Sequence, residues 1–475
     1  MTSHVARAIS TVAAALTLFV ATAEVVGSQS PIAASVAITN VTVIDTASGA
    51  LRPDITILVK GDRITEVAPA ARVSVSANAQ QVDGRGKFLI PGLWDMHVHV
   101  FGNGDQDDTE SSEYFFPLLV ANGVVGVRDM GPDADDIARV NRWNAEIEAG
   151  RLTAPRVIVT SRIVDGEPPT WSNSLVVRSA EEGRAAVRTL KASGAQTIKV
   201  YWNLSRDAYL AIADESTKEE LPFAGHVPYV MTAAEASNIG QRSIEHLDGV
   251  AQACSSKESE WLSKRQARMW TAADALEMRR TFDESKCDAL AATFKRNNTW
   301  LVPTTVVFFD PKNLDSSSRL RFARPPVAER MRQGAPKPGA RADEITRNAE
   351  LAMRRTMGRA AAALFLAGTD LSEARPTNLP GFSLHDELQL LVEAGLTPLE
   401  ALQTATLNPA RFFRRESELG TVAVGKLADL VLLDANPLNA ITSTTKVNAV
   451  VSNGRLFRRA DLDDLLAKAA AAANR

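Results

Sequence analysis

The chain has 475 residues, a length that exceeds one small core and fits one large domain with an accessory domain. Hydrophobic residues make up 45% and charged residues 23%, the balance of an ordinary soluble globular protein. The formal net charge of -3 at pH 7 excludes a strongly basic surface of the kind that binds nucleic acid.

The first residues have the pattern of a secretory signal peptide. Arg7 supplies a positive charge, residues 9–20 are apolar but too few to span a bilayer comfortably, and residues 21–23 (ATA) match a cleavage site. We therefore predict that residues 1–28 are removed on export and that the mature protein is periplasmic or secreted. The alternative is an uncleaved membrane anchor. No later segment is apolar enough to span a membrane, so stable membrane insertion is not expected.

Short β-like segments lie at both ends of the mature chain. Residues 36–88 contain alternating apolar residues broken by Gly or Gly-Asp, and a similar pattern returns in residues 413–458. These two flanks predict one small β-sandwich domain that is built from both chain ends. The sequence of residues 459–475 predicts a C-terminal helix.

The centre of the chain, residues 89–412, alternates strand-like and helix-like stretches, which predicts βα units and a parallel sheet. Eight strand candidates can be counted, and eight strands close a (β/α)8 TIM barrel. They are residues 89–99, 124–130, 155–164, 197–202, 222–227, 242–247, 300–307 and 364–370. The expected fold is therefore an α/β protein in which this barrel carries the small β-sandwich domain.

Residues 255–355 interrupt this rhythm. The segment is rich in Arg and Lys and contains a stretch with several Pro and Gly residues at 332–342. We predict an inserted or lid-like segment over the mouth of the barrel, where loops of barrel enzymes determine specificity. The two cysteines, Cys254 and Cys287, could form one disulfide in an oxidising compartment or stay reduced.

Two histidines, His97 and His99, end the first strand candidate. Alternate residues of a strand point the same way, so both imidazoles can face the barrel interior and chelate a cation such as Zn²⁺. An H-x-H pair alone occurs by chance on solvated strands. The context here favours a metal site, because other candidate ligands end later strands.

Those later candidates are His226, His246 and Asp370, which end the fifth, sixth and eighth strand candidates. The carboxyl ends of the strands form the functional face of a barrel, and chance would also scatter histidines over helices and loops. Asp370 can ligate a metal and accept a proton from water, whereas its ordinary role would be to cap the next helix.

Lys199 lies inside the apolar fourth strand candidate, TIKVYW. A buried lysine has a lowered pKa, and its neutral amine can react with carbon dioxide to give a carbamate, an anion that can bridge two metals. With Asp370, a carbamate and a hydroxide, two divalent cations would leave a net charge of about +1 at a two-metal site. The alternative is a lysine whose stem packs in the strand while its ammonium reaches the mouth.

The order H-x-H, Lys, His, His, Asp over these strands resembles the amidohydrolase superfamily. The resemblance covers nearly the whole mature chain and includes FLIPGLWDMHVH, GVVGVRDMG, HDELQLLVEAGLTPLEALQTATLNPAR and GKLADLVLLDANPL. These segments are similar to the imidazolonepropionase-related branch, with its prolidase-like (Xaa-Pro dipeptidase) and ochratoxinase-like amidases. The resemblance implies two divalent metal ions, usually zinc. His97, His99 and Asp370 would hold one, His226 and His246 the other, and N6-carboxylated Lys199 would bridge both.

Four further residues are candidates for binding substrate. His385 follows the eighth strand candidate and could contact the substrate or the leaving group, or could instead pack at the start of a helix. Tyr201, Tyr229 and Arg128 lie at or just beyond strand ends, where each could polarise a carbonyl or hold a substrate carboxylate.

The predicted activity is hydrolysis of an amide or peptide bond, in a dipeptide or an N-acyl amino acid-like small molecule, by a hydroxide that bridges the two metals. Asp370 would take the proton and pass it to the leaving amine. The alternatives are a mononuclear cyclic-amide hydrolase or deaminase on the same barrel, a lactonase, and a non-catalytic binding protein. Deaminases usually add an H-x-x-E pair, which neither His226 nor His246 begins. Oligomeric state is left open.

Overall fold

A computed structural model describes residues 35–100, 111–131, 134–311, 317–333, 353–359, 361–372 and 378–474. The predicted signal peptide, residues 1–28, lies outside the described residues, as does most of the Pro- and Gly-containing stretch at 332–342. Among the described helices, none combines the length and the apolar character needed to cross a membrane.

One eight-stranded sheet is built from both ends of the chain. Its strands are Val36–Ile44, Leu51–Lys60, Arg63–Pro69, Gln80–Asp83, Phe88–Pro91, Leu430–Leu433, Val447–Ser452 and Arg455–Arg458. The two ends meet where Phe88–Pro91 pairs antiparallel with Leu430–Leu433. This pairing explains why the β-like sequence pattern occurs at both ends of the chain.

Both faces of this sheet are buried in its central strands. Leu430 and Leu432 pack in a small core of the sheet itself, whereas Val431 and Leu433 pack in the large core beneath the parallel strands. The alternation follows from the two-residue period of a strand. The described strands form a single sheet, so its arrangement as a two-layer sandwich stays a prediction.

The centre of the chain forms two sheets in which all strand pairs are parallel. One contains Leu93–His99, Val124–Asp129, Arg156–Val159 and Leu371–Ser372, and the other contains Ile163–Asp165, Leu175–Val176, Ile198–Val200, Phe223–Gly225, Ser243–Glu245 and Trp300–Val302. Backbone hydrogen bonds link them at two places. Leu366 N donates to Leu301 O (2.9 Å) and Met96 N to Ala367 O (2.8 Å) on one side, and Ser161 N donates to Thr197 O (2.7 Å) on the other.

Helices follow most of these strands. The α-helices are Phe116–Ala121, Ala134–Glu148, Ala180–Ala192, Arg206–Lys218, Ala233–Ile239, Val250–Ala253, Glu258–Gln266, Ala272–Arg280, Glu284–Asn297, Pro325–Gln333, Phe382–Glu393, Pro398–Thr404, Leu407–Phe412 and Arg459–Ala473. A π-helix spans Ser111–Phe115, and 3-10 helices span Ala70–Arg72, Thr305–Val307, Ser317–Phe322, Ala362–Leu364 and Ile441–Thr445. Several begin at a capping hydroxyl. Thr232 and Thr397, for example, each accept from the backbone N–H three residues later and form a capping box.

The segment after the parallel strand Ser243–Glu245 is a group of short helices that a disulfide closes. Cys254 and Cys287, which are 33 residues apart in the sequence, form a disulfide. The sequence left open whether these cysteines are oxidised or reduced, and the structure has them oxidised. Trp261 is buried inside this group and its indole N–H donates to Ser255 Oγ. Closing a loop of this length stabilises the folded state by about 3–4 kcal/mol in the chain-entropy treatment.

Candidate metal centre

His97, His99 and Asp370 lie together where the end of Leu93–His99 meets the start of its parallel neighbour, Leu371–Ser372. Asp370 Oδ1 is 3.3 Å from His97 Nε2 and 3.2 Å from His99 Nε2. One ligand atom from each residue lies within 4.8 Å of the others. The spacing of two residues places both imidazoles on the same side of Leu93–His99, as expected for a strand.

The backbone around Asp370 is held close to the first parallel strand. Asp370 N donates to His97 O at 2.8 Å, and a Cβ on Gly368 would lie only 2.8 Å from His97 Cβ. The buried carboxylate of Asp95 accepts hydrogen bonds from Thr369 N (3.0 Å) and Thr369 Oγ1 (2.7 Å). The small residue at 368 is therefore required for the approach that brings Asp370 to the two histidines.

The other three predicted ligands continue this cluster. The ring centroid of His246 is 4.7 Å from that of His97 and 4.9 Å from that of His226. Lys199 is paired in register with Ala224, two residues before His226. A Cβ on Gly225 would lie 3.2 Å from Lys199 Cδ, so this glycine leaves room for the lysine stem. The predicted ligands thus gather on the parallel strands: His99 ends its strand, His226 and His246 directly follow theirs, Lys199 lies inside Ile198–Val200, and Asp370 directly precedes Leu371–Ser372.

Lys199 is only 1% exposed. Burial lowers the pKa of its ammonium to about 8, although the charge of Glu245 opposes the shift. Among the described residues, no carboxylate oxygen lies within 4 Å of Lys199 Nζ. A substantial fraction of the side chain is therefore the neutral amine near pH 8, which is the form that reacts with carbon dioxide.

The imidazoles of His226 and His246 are neutral at physiological pH. Burial lowers the pKa of His226 to about 4 and takes that of His246 well below its usual range. Burial alone would raise the pKa of Asp370, but the neighbouring His246 and His97 hold it well below that of an exposed aspartate. A neutral imidazole and an ionised carboxylate are the protonation states that bind a metal.

The hydrogen bonds of two histidines leave one ring nitrogen of each for a metal. Nδ1 of His97 is bonded to Glu245 Oε2 and Nδ1 of His246 to Thr304 Oγ1, each at 2.7 Å. His97 Nε2 is buried and makes no hydrogen bond to a described residue, since its 3.3 Å approach to Asp370 does not meet hydrogen-bond geometry. A buried nitrogen without a hydrogen bond is costly, and a cation beside Asp370 would satisfy it. The residues therefore fit a metal.

Glu245 is a functional residue that the sequence reasoning missed. Both of its carboxylate oxygens accept from Arg128 Nη2 at 3.0 Å, and Ser243 Oγ donates to it at 2.5 Å. Burial would raise the pKa of Glu245, but Arg128 and His97 hold it well below its usual range. The sequence offered one indication of this role. Glu245 directly precedes His246 and follows Ser243 by two residues, so it shares a strand face with Ser243.

Arg128 occupies a different place from the one predicted. Its side chain is 1% exposed, and Nε donates to Met96 O at 2.7 Å while the other nitrogens bond Ser243 and Glu245. The guanidinium is thus committed to protein partners, because it is buried and Met96 O, Ser243 Oγ and Glu245 accept its hydrogen bonds. The prediction that Arg128 contacts the substrate is therefore corrected. Arg128 instead bonds Glu245, which lies behind His97.

His385 is also removed from substrate contact. Its side chain is buried, with Nδ1 bonded to Thr444 Oγ1 at 3.0 Å and Nε2 bonded to Asn122 O at 3.1 Å. Both ring nitrogens are therefore satisfied inside the protein, and burial lowers the pKa of His385 to about 4. The packing role that the sequence also allowed is the one observed.

The two tyrosines remain beside the candidate centre. The Tyr201 ring lies 4.2 Å from that of His226, and its hydroxyl accepts from Trp171 Nε1 at 2.9 Å. Tyr229 is partly exposed and stacks on Trp202 at 5.8 Å between ring centroids, with an interplanar angle of 12°. The structure therefore leaves Tyr201 and Tyr229 as candidates for substrate contact.

Residues 88–457 match the model of the amidohydrolase family. The chain belongs to the amidohydrolase family. The predicted superfamily and the predicted enzyme class, a hydrolase of C–N bonds, are both confirmed by this membership. Metal dependence is general in this family, and the His97, His99 and Asp370 group agrees with it.

Curated relatives match this amidohydrolase only over short stretches. It is 37% identical over 89 residues to an imidazolonepropionase of Geobacillus sp. (strain WCH70), which is 18% of this chain and 21% of that protein. It is 47% identical over 47 residues to an adenine deaminase of Desulforamulus reducens, which is 10% of this chain and 8% of that protein. The matched stretches span about a fifth of the first relative's length and less than a tenth of the second's.

Solved structures resemble this amidohydrolase over nearly its whole length. Bottromycin amidohydrolase aligns with a TM-score of 0.68 at 22% identity over 92% of this chain and 90% of its own. A Xaa-Pro dipeptidase with bound methionine aligns with a TM-score of 0.60 at 20% identity over 90% of this chain and 100% of its own. At these identities the likeness establishes the fold, and the predicted TIM-barrel type of α/β fold is confirmed.

Proposed function

We propose that this amidohydrolase is an exported, binuclear enzyme that hydrolyses an amide or peptide bond in a dipeptide or an N-acyl amino acid-like substrate. The observation that carries the proposal is the cluster of His97, His99 and Asp370, whose ligand atoms lie within 4.8 Å of one another, with His246 stacked against His97 and His226. The proposal includes a closed barrel of eight strands, with the candidate at residues 364–370 as the last one, and a β-sandwich that is formed by the eight-stranded sheet.

In this proposal His97, His99 and Asp370 hold one divalent metal, and His226 and His246 hold the other. The neutral amine of Lys199 would attack carbon dioxide, form an N–C bond and lose a proton to water, and the resulting carbamate would be available as an anionic ligand to both metals. The burial of Lys199 and the absence of a carboxylate within 4 Å of its Nζ among the described residues support this step. Zinc suits the imidazole and carboxylate donors.

Bound metals of this kind polarise a carbonyl and lower the pKa of a water molecule so that hydroxide is available near neutral pH. The chain supplies the proton transfer. Asp370 lies next to both His97 and His99, accepts the proton of the water that attacks the carbonyl and passes it to the leaving amine. Glu245 and Arg128 keep His97 in one tautomer and orientation, because a carboxylate on Nδ1 leaves Nε2 for the metal.

Export rests on two observations. Residues 1–28 have the sequence of a signal peptide, and the Cys254–Cys287 disulfide is of a kind that persists in oxidising compartments. Mass spectrometry of the protein recovered from the periplasm or the medium would test export. A mature N-terminus after residue 23 or 28 is expected, and recovery only from the cytoplasm with the first residues intact would contradict it.

The decisive test of the binuclear site combines metal counting with a substrate panel. Zinc-loaded protein is expected to hold two metals per chain and to hydrolyse at least one member of a panel of dipeptides and N-acyl amino acids. Lys199→Ala should bind one metal fewer and lose that turnover. Lys218→Ala, at a lysine whose side chain is 58% exposed, is the matched control and should behave as the wild type.

A mononuclear deaminase is the second candidate, because one curated relative is an adenine deaminase. In that case a single metal per chain would be measured, Lys199→Ala would keep its metal, and ammonia would be released from an aminopurine. Two metals together with loss of one in Lys199→Ala would reject it. A lactonase on the same site would instead turn over lactones in the same panel.

A further inference from the structure

The disulfide-closed loop, residues 254–287, forms one wall of a pocket beside the candidate metal centre. The pocket has a volume of about 780 Å³ and is bounded on the other side by loops that follow the parallel strands. This size suits a small organic ligand. We call it the cap pocket, and the loop contributes Arg265, Arg268, Trp270, Met278 and Arg279 to its lining.

The cap pocket directly adjoins the metal ligands. The ring centroid of Trp202, which lines the pocket, lies 4.5 Å from that of His226. Asp248 also lines the pocket, and its Oδ2 is 3.6 Å from His226 Nδ1. Trp202 and Asp248 therefore separate the pocket from His226 by a single layer of side chains, which places the pocket within reach of a substrate bound at the cluster.

Three arginines and one carboxylate, Asp248, line the pocket. Arg265 is committed to that carboxylate, with Nη2 to Asp248 Oδ1 at 3.1 Å, and its guanidinium lies 4.9 Å from the Tyr229 ring centroid. The buried pair of Arg265 and Asp248 therefore contributes no net charge to the pocket.

Arg268 differs from Arg265 in its partner. Its Nη2 donates to Asn203 Oδ1 at 2.8 Å, and within the described part of the chain no carboxylate lies within 4 Å of its guanidinium. A neutral amide fixes the position of the guanidinium without cancelling its charge. The remaining N–H groups can donate to a planar anion such as a carboxylate, whose two oxygens match the spacing of the guanidinium nitrogens.

We propose that Arg268 binds a free carboxylate of the substrate and that the cap pocket thereby selects acidic substrates over their neutral amides. The proposal rests on the proposed hydrolytic function and names its substrate class. Trp202, Tyr229 and Trp270 line the same space and supply apolar faces for the side chain next to that carboxylate. The indole N–H of Trp202 is already bonded to Asp248 at 2.8 Å, so its ring offers an apolar face.

The test is a pair of ligands that differ only in charge, N-acetyl-L-tryptophan and N-acetyl-L-tryptophanamide. Their binding to the zinc-loaded full chain is measured by calorimetry. A hydrogen-bonded charge pair should make the acid bind about tenfold or more tightly than the amide in the wild type. Arg268→Ala should remove this preference and change amide binding by less than about threefold, whereas Arg268→Lys should keep part of it.

Arg280→Ala is the matched control, because Arg280 lies on the same loop, is 58% exposed at its side chain and does not line the pocket. It should keep the wild-type preference. Equal binding of acid and amide in the wild type, or a preference that persists in Arg268→Ala, would overturn the proposal. Turnover is measured separately. Failure to hydrolyse any amide would reject the proposed function, while the binding preference would still decide the role of Arg268.

Discussion

The two halves of the candidate metal centre use similar residues but differ in charge. In the first half, the carboxylate of Asp370 lies 3.3 Å from His97 and 3.2 Å from His99. In the second half, His226 and His246 are joined by Lys199, which brings no negative charge of its own. The first half offers a carboxylate to a cation as it stands, whereas under the proposed function the second half would need an added anion, which a carbamate on Lys199 would supply.

The largest effect is expected in the first half. Asp370→Asn should keep an oxygen ligand for the metal but lose the proton acceptor, so we expect kcat to fall by about 10²- to 10⁴-fold with metal content retained. Steady-state kinetics with metal analysis would measure this. Asp434→Asn, at an exposed carboxylate that pairs with Lys87, is the control. A fully active Asp370→Asn enzyme would remove Asp370 from proton transfer.

A histidine outside both halves sharpens the comparison. The pKa of buried His385 is about 4 against 6.5 for an exposed histidine, so the unfolded chain binds more protons between these pH values. Keeping the ring of His385 neutral contributes about 3 kcal/mol to the free energy of unfolding. This contribution is complete above pH 6.5 and is lost as the pH falls toward 4. Unfolding titrations of His385→Asn should lack this part of the acid destabilisation. Parallel pH curves for wild type and variant would contradict the prediction, and metal content should be the same in both.

The support behind the ligands also differs between the halves. His97 is held by the buried carboxylate of Glu245, in turn bonded to Arg128. Glu245→Gln should weaken metal binding in the first half by about 10- to 100-fold, since it replaces a charged acceptor on the ligand histidine with a neutral one. Competition with a chelator would measure the affinity. Unchanged affinity would show that the charge of Glu245 does not act through His97.

The smallest effect is expected for the equivalent contact of the second half, the neutral hydrogen bond between His246 and Thr304. Thr304→Val keeps the shape of the side chain and removes one such bond, which contributes about 1 kcal/mol, or roughly fivefold in affinity. Thr304→Ser should restore it. A loss in Thr304→Val as large as that in Glu245→Gln would show that the two halves are supported alike.

The sequence alone indicated the residue types of the centre and their strands. His97 and His99 are separated by one residue, so strand periodicity places both on one face, and His226, His246 and Asp370 each end a strand candidate, while Lys199 lies inside one. The amidohydrolase family could be recognised from the same residues. By contrast, the pairing of Arg128 with Glu245 joins residues 117 positions apart and could not be read from either strand.

What only the tertiary structure decided is which groups face one another across the parallel strands. Strand periodicity predicts which way a side chain points but not which residue it contacts. The contact depends on the register and the packing of elements that are far apart in the chain. That packing turned Arg128 and His385 from mouth residues into buried ones with protein acceptors. It also brought Arg268, from a segment whose sequence indicated only a lid, to a pocket beside His226. The sequence determined the ligands of the metal centre, and the fold determined their support and the surroundings of the substrate.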